Sequence, residues 1–278
     1  MSHQLKDIEG GRDKIVCFES YGVRVGISSN YPDFLQRVAD ELDDIFPTDI
    51  APIDNSNIER RIEITRKEDG FIEFMIDGEE VSGSYSEENV FRFLLSRIRL
   101  TVAEYATSRV FVHAGVVIWK GKALVFPGNS FSGKTSLVKA FIDLGASYFS
   151  DEYAIFDENG LVHPYPKTLS IRGIVDDFTQ VEHTAEELGA VTETEPHPAG
   201  MFYFGQYEEN AAFEPKPLSV GETVLKTVSF TLPIRVAPAF SLDVLQKAAT
   251  NVIRCESKRG EAEITAPLLI EHFEKHSN

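Results

Sequence analysis

The sequence predicts an α/β protein in two parts, a smaller α+β region over residues 1–107 and a mixed-sheet domain over residues 108–278. Three observations predict it. Apolar runs with a period near two alternate with runs whose apolar residues recur every three or four positions. A strand apolar on both faces, VFVHAGVVIW, turns at Lys120-Gly121 into a second strand, KALVFPG. That second strand runs into a glycine-rich loop, GNSFSGKT, which opens an amphipathic helix. Many folds reach such a loop from a single parallel strand, so entry through a hairpin predicts a mixed sheet.

Taken in order, residues 13–30 read as strand, with Val16, Phe18, Tyr21, Val23, Val25 and Ile27 nearly alternating. Pro32 opens a helix whose apolar positions Phe34, Leu35, Val38, Leu42 and Ile45 fit a helical period. IERRIEITRK and FIEFMID read as two strands joined at Asp69-Gly70. A capping box at Ser84–Glu87 starts a helix through VFRFLLSRIRLTVAEYA, and its stripe of Val90, Phe93, Leu94, Arg97, Ile98, Val102 and Tyr105 is expected to face the core. Beyond the loop, residues 134–144 form a helix closed by Gly145. SYFSDEYAIFD then reads as one strand, ending in a turn at Glu158-Asn159-Gly160. Residues 184–217, rich in Glu, Pro and Gly, read as a long, partly mobile excursion. Its Met201, Phe202, Tyr203, Phe204 and Tyr207 either bind an acceptor, as a lid would, or pack the loop down. The capping box Ser219–Glu222 restarts helix.

The loop carries the chemistry. Gly128, Gly133, Lys134 and Thr135 complete the pattern G-x-x-x-x-G-K-[ST]. Glycines let the backbone curl so that successive N–H groups point at phosphate oxygens, and the helix start adds its positive end. Lys134 supplies a mobile cation for the β- and γ-phosphates, and the Thr135 hydroxyl can ligate Mg²⁺. The cradle for the nucleotide is therefore assigned to Gly128, Asn129, Ser130, Phe131, Ser132, Gly133, Lys134, Thr135 and Ser136. Asp151-Glu152 follows one helix and one turn later. A parallel strand beside the loop's own strand would carry these acids to the triphosphate, one as base toward a hydroxyl and the other as metal ligand. Adjacent strand residues face opposite ways, which would send only one of them into the site. His113, 15 residues before Gly128, is either a core histidine or a site residue. Arg172, in TLSIRGIVDD, can support a developing phosphoryl charge or make a surface ion pair. Arg259-Gly260 can cap a turn or reach the site.

Composition narrows the partners. With 27 basic and 44 acidic residues in 278, the net charge is −17, and such a surface repels a nucleic-acid backbone. Binding of an anionic nucleotide then needs a local positive device. The two cysteines, Cys17 and Cys255, lack metal-ligand spacing and read as reduced core thiols. The first residues contain no apolar signal region and no run is long enough to span a membrane, so a cytoplasmic protein is expected.

The ordered set of His113-Ala-Gly-Val-Val, hairpin, loop, helix, Ser150-Asp151-Glu152 and Ile171-Arg172-Gly173 resembles the HPr kinase/phosphorylase family, especially its shorter HPr kinase-related members, over residues 108–176. The resemblance implies a P-loop domain similar to phosphoenolpyruvate carboxykinase, with a mixed sheet. It also implies ATP and Mg²⁺ as cofactors and transfer of a phosphoryl group to a serine hydroxyl. By the same resemblance His113 is the active-site histidine before the loop, and Asp151 is the acid that activates the serine. Glu152 stands where the family has a second aspartate, which makes Asp151 and Glu152 metal-ligand candidates beside Thr135. Arg172 resembles the arginine of the family's Arg-Gly segment, and with Lys134 completes the expected catalytic set. The loop departs from the family in lacking Gly-Val before Gly-Lys, and the phosphorylase signature is absent. The stretch SDEY followed by HPYPKTLSIR is similar to kinases of peptide-tailoring pathways, lasso-peptide clusters among them. The expected partner is thus a precursor peptide or an HPr-like carrier protein, with a possible homo-oligomer. Alternative readings are a small-molecule kinase of the same fold and a non-catalytic ATP-binding regulator.

Overall fold

A computed structural model describes residues 5–7, 13–129, 132–172 and 180–277, without the side chains of 7, 170–172 and 180–182. The chain forms two compact units, Met1–Ser108 and Arg109–Asn278.

The first unit contains strands β1 (Lys6–Asp7), β2 (Lys14–Ser20) and β3 (Val23–Ser29), helices α1 (Pro32–Asp40) and α2 (Leu42–Ile45), strands β4 (Ala51–Pro52), β5 (Arg60–Arg66), β6 (Ile72–Ile76) and β7 (Glu79–Ser84), and helix α3 (Glu87–Tyr105). Its sheet runs β1-β2-β3-β5-β6-β7, with β4 beside β2. The strand material of residues 13–30 is a hairpin, because Tyr21 and Gly22 both take positive φ (49° and 80°), the turn that matches strand twist. Asp77-Gly78 makes a second such turn (φ 51° and 84°) and adds β7, which periodicity alone does not reveal. Because β7 runs through Ser84, the cap of α3 is Ser86, whose hydroxyl accepts from the Asn89 N–H at 3.3 Å. The buried face of α3 includes Val90, Phe91, Leu94, Ile98 and Val102 as a helical stripe demands, but Phe93 is 45% exposed.

The second unit begins with β8 (Val110–Trp119), β9 (Lys122–Pro127), α4 (Lys134–Asp143), β10 (Ser147–Ser150), β11 (Tyr153–Phe156) and β12 (Leu161–His163). It continues with β13 (Leu169–Arg172), β14 (Gln180–His183), β15 (His197–Tyr207), β16 (Lys216–Pro217), α5 (Val220–Val228), a short 3₁₀ turn at Leu232–Arg235, α6 (Pro238–Ala249), β17 (Ile253–Arg259) and α7 (Ala262–His276). The β8–β9 hairpin turns at Lys120 (φ 50°) and Gly121 (φ 74°). The sheet is mixed: β9 is antiparallel to β8 and parallel to β15, and β15 is parallel to β17. On its other edge β8 pairs antiparallel with β10 and β11. The pairings of β11 with β12 and of β12 with β15 close a ring, β8-β9-β15-β12-β11.

Two cores follow from the alternation of side chains along β8. Val110, Val112, Ala114 and Val116 pack with Phe149, Phe156, Phe202 and, from α6, Val244 and Leu245. The opposite face, through Val117, Leu124 and Phe126, packs against Leu137 and Phe141 of α4 and Leu269 and Phe273 of α7. Residues 184–217 are not an excursion throughout. Their middle is β15, in which Met201, Phe202 and Tyr203 are almost completely buried between β9 and β17. A run apolar at successive positions suits a strand covered on both faces, and this outweighs the Glu, Pro and Gly around it.

Candidate functional site

The loop starts where β9 ends and finishes where α4 begins. Phe126, at the end of β9, packs on Phe141 in the last turn of α4, their rings 5.2 Å apart between centroids, a pairing worth about 0.5–1.5 kcal/mol beyond the area it buries. Gly128 N–H donates to the His113 carbonyl at 3.1 Å, which pins the loop's entry to β8. A Cβ at Gly128 would stand 2.6 Å from Ser132 Oγ, which would have to turn away. Gly133 is left-handed (φ 80°) and caps α4. The first helical bond runs from Leu137 N–H to Gly133 O. The N–H groups of Lys134, Thr135 and Ser136 thus lie ahead of the helix ladder with the positive end of the helix behind them. Ser130 and Phe131 lie outside the described residues.

Helix α4 crosses β8 at Gly115, where a Cβ would stand 2.7 Å from Val138 Cγ2 and 3.6 Å from Lys134 Cβ. The missing side chain lets the helix start sit on the strand. The crossing carries the chain over β8, so β10 and β11 lie on the far side of β8 from β9 and do not neighbour the loop's strand. The acids therefore reach the site beside His113. SYFSDEYAIFD is not a continuous strand. An irregularity between Tyr148 and Ser150 shifts the register, and the chain breaks at Asp151-Glu152, between β10 and β11. The Ser150 hydroxyl accepts from the N–H groups of Glu152 and Tyr153 at 3.2 and 3.1 Å and fixes this break.

At the break the two acids separate. The Thr135 hydroxyl donates to Asp151 Oδ2 at 2.7 Å. Asp151 Oδ1 is buried with no hydrogen-bond partner among the described residues. Glu152 forms a part-buried ion pair with Lys167 at 3.0 Å. The sequence pattern does not single out Lys167; its position follows from Tyr148, whose hydroxyl donates to the Lys167 carbonyl at 2.6 Å. Burial pushes the Asp151 carboxyl up to about 6, opposed by the Thr135 hydrogen bond and by Lys134 and Lys167. His113 pairs across the strands with Tyr153, and their rings lie 6.2 Å apart. Burial, then the Lys134 charge, brings its imidazole down to about 4, so it is neutral at physiological pH. Lys134 is 9% exposed; its ammonium donates to the Asn129 carbonyl at 2.8 Å, and burial lowers its pKa against the pull of Asp151 and Glu152. Arg172 ends β13, and its side chain lies outside the described residues.

Arg259 is a residue whose place the sequence pattern leaves open. It is 4% exposed and lies under the loop, donating to the carbonyls of Gly133 at 3.0 Å, Ser132 at 3.3 Å and Gly260 at 3.1 Å. The site thus combines two buried cations, free helix-start N–H groups and a buried carboxylate oxygen, in a chain of net charge −17. Such an arrangement can take a polyphosphate. Thr135 Oγ1 and Asp151 Oδ2 are hard oxygen donors that fit Mg²⁺, which leaves Asp151 Oδ1 unengaged. Among the described residues no group of three or more His, Cys, Asp or Glu side chains is arranged to hold a metal. A divalent ion here would therefore take its remaining ligands from phosphate and water. Cys17 and Cys255 are both free and buried. Among the described residues no helix is long and apolar enough to cross a membrane.

No protein-family model and no curated protein matches the chain. Among solved structures it is similar to the Hpr(Ser) kinase/phosphatase from Coxiella burnetii, at 15% identity, over 60% of this chain and 99% of that one, with a TM-score of 0.34. At that score the likeness bears no weight, and the site is read from its own geometry.

Proposed function

We propose that the chain is an ATP-dependent kinase that transfers the γ-phosphoryl group to a serine hydroxyl of a peptide or small protein. The observation that carries this reading is the contact of Thr135 with Asp151 at the start of α4, with the second carboxylate oxygen buried and unpartnered among the described residues. The loop N–H groups and Lys134 bind the phosphates, and Lys134 exchanges its Asn129 carbonyl for phosphate oxygen. Thr135 and Asp151 would hold Mg²⁺, with Glu152 available if its pairing with Lys167 opens. When bound, the metal neutralises phosphate charge.

The acceptor serine oxygen bonds to the γ-phosphorus as the bond to the β–γ bridging oxygen breaks, ADP leaves, and the hydroxyl proton passes to Asp151 Oδ1. A carboxylate raised to about 6 suits that proton better than an ordinary one, because a base works best near the operating pH. Neutral His113 steadies the transferring group by hydrogen bonding, and Arg172 is proposed to offset its charge. A binding-only regulator has no need of a buried base, which favours transfer over sensing. The serine of a tailored precursor peptide, or of an HPr-like carrier, is the proposed acceptor, on the strength of the family resemblance around SDEY and HPYPKTLSIR.

The test is mass spectrometry of candidate acceptors incubated with Mg-ATP and either the protein or its Asp151→Asn variant. A phosphate mass shift on a serine peptide, absent with the variant, is the expected result. Transfer to a small hydroxyl compound alone would replace the peptide reading. Mg-ATP binding without any transfer would replace the kinase with the regulator.

A further inference from the structure

Arg259 closes β17, the strand parallel to β15, which is itself parallel to β9. Parallel strands end on the same edge of a sheet, so Arg259 arrives beneath the loop that leaves β9. Its guanidinium donates only to backbone: to the carbonyls of Ser132, Gly133 and Gly260. Among the described residues no carboxylate forms an ion pair with it. Glu261, close in sequence, accepts the Tyr207 hydroxyl at 2.7 Å. The guanidinium also lies 5.8 Å from the Tyr207 ring centre. A guanidinium 4% exposed and offset only by the charges of Glu261 and Glu263, neither in direct contact with it, is costly, and burial lowers its pKa against their pull.

The contacts bear on the loop's conformation. A peptide's N–H and C=O point in opposite directions, so a group that captures the carbonyls of Ser132 and Gly133 turns the adjoining N–H groups of Gly133 and Lys134 the other way. Nη2 takes both loop carbonyls while Nη1 holds that of Gly260, a planar grip on three carbonyls that a point charge reproduces less well. The fit is tight: a Cβ at Gly133 would stand 2.2 Å from Arg259 Nη2. Glycine is required there by the arginine as well as by the left-handed backbone.

From this geometry we infer that Arg259 is a positioning residue: it sets the loop peptides for a polyphosphate, and the bound phosphates add to the counter-charge that Glu261 and Glu263 supply without touching it. The inference rests on the reading of the loop as a phosphate site. It assigns to β17 a role in nucleotide binding that the loop motif does not contain.

The test compares the full chain with Lys134→Ala, Arg259→Gln and Arg259→Lys in calorimetric titrations with Mg-ATP, with folding checked by circular dichroism and melting. Wild type is expected to bind and Lys134→Ala to lose binding. Arg259→Gln is expected to weaken it about 10- to 100-fold, and Arg259→Lys, which restores the charge without the planar grip, by an intermediate factor. A merely structural arginine would not respond to ligand, so the second readout is the ¹⁵N–¹H resonance of the Arg259 Nε group during titration with inorganic pyrophosphate. It is expected to shift and saturate together with the loop amides. Should Arg259→Gln fail to fold, Arg259→Lys and the wild-type resonance decide. Folded arginine variants that bind as wild type, or a resonance that does not move while the loop amides do, overturn the inference and leave the phosphate site standing. A wild type that binds no Mg-ATP removes the site and the inference together.

Discussion

The Thr135 hydroxyl reaches Asp151 Oδ2 across 16 residues of chain, at 2.7 Å, and leaves Oδ1 buried without a partner among the described residues. One contact thus ties the helix that starts the phosphate site to the strand break that presents the acid. Replacing Asp151 by Asn keeps the shape and removes the base. Mg-ATP affinity is expected to change by less than tenfold while turnover falls about 100- to 10,000-fold. Binding calorimetry beside a phosphate-transfer assay separates the two, and an Asp151→Asn variant that turns over normally refutes the base assignment.

The acidity of Asp151 should be visible in the pH profile. Burial, its largest influence, raises the carboxyl to about 6, so below that pH the group carries a proton and cannot accept another. kcat/KM is expected to rise with pH and level off above about 6. A profile flat from pH 5 to 8, measured in buffers of constant ionic strength, would count against the role.

The same shift has a sign in stability. A carboxyl whose folded pKa lies above its unfolded value favours the fold when protonated, and that contribution is lost as pH rises from about 4 through 6. At pH 7 and without nucleotide, Asp151→Asn should therefore be more stable than wild type, by roughly 1–3 kcal/mol. Urea unfolding at pH 7 and pH 4.5 checks it, and the advantage should shrink at the lower pH.

Lys134 is buried with its ammonium on the Asn129 carbonyl, and burial depresses its pKa. Lys134→Met is expected to leave the melting temperature of the nucleotide-free protein unchanged or raised, since the variant removes a desolvated charge. Mg-ATP binding should drop at least about 100-fold, the cost of several charge-assisted bonds. Nucleotide-induced protection in a thermal-shift titration reads both effects.

Gly115 gives a purely steric test. A valine there must push against Val138, whose Cγ2 lies 2.7 Å from the Cβ position. Gly115→Val is expected to cost about 1–3 kcal/mol of stability and to weaken nucleotide binding by moving the start of α4 off β8. Denaturant midpoints and the same titration measure the pair of effects.

Local chemistry was legible wherever its cause is local. The left-handed Gly133 that starts α4, the helix closed by Gly145 and the capping box at Ser219 each depend on neighbours in the chain, and each stands where pattern places it. The cap of α3 lies two residues beyond the Ser84 that pattern suggests, at Ser86, because the Asp77-Gly78 turn adds a strand whose alternation is too weak to read. The mixed sheet was legible from the Lys120-Gly121 turn, since two residues with positive φ leave no room for a crossover.

What chain order alone leaves open is what depends on strand adjacency. Nothing in SYFSDEYAIFD says that the acids come beside β8 rather than β9; Gly115 decides it by letting α4 lie across the strand. Asp151 and Glu152 sit in the break between β10 and β11, where strand alternation does not apply, and their partners, Thr135 and Lys167, come from other segments. The burial of Met201, Phe202 and Tyr203 and the reach of Arg259 to Gly133 both require that β15 and β17 run parallel to β9. Pairing of distant strands is chosen by which faces can be buried together, and that choice belongs to the whole sheet.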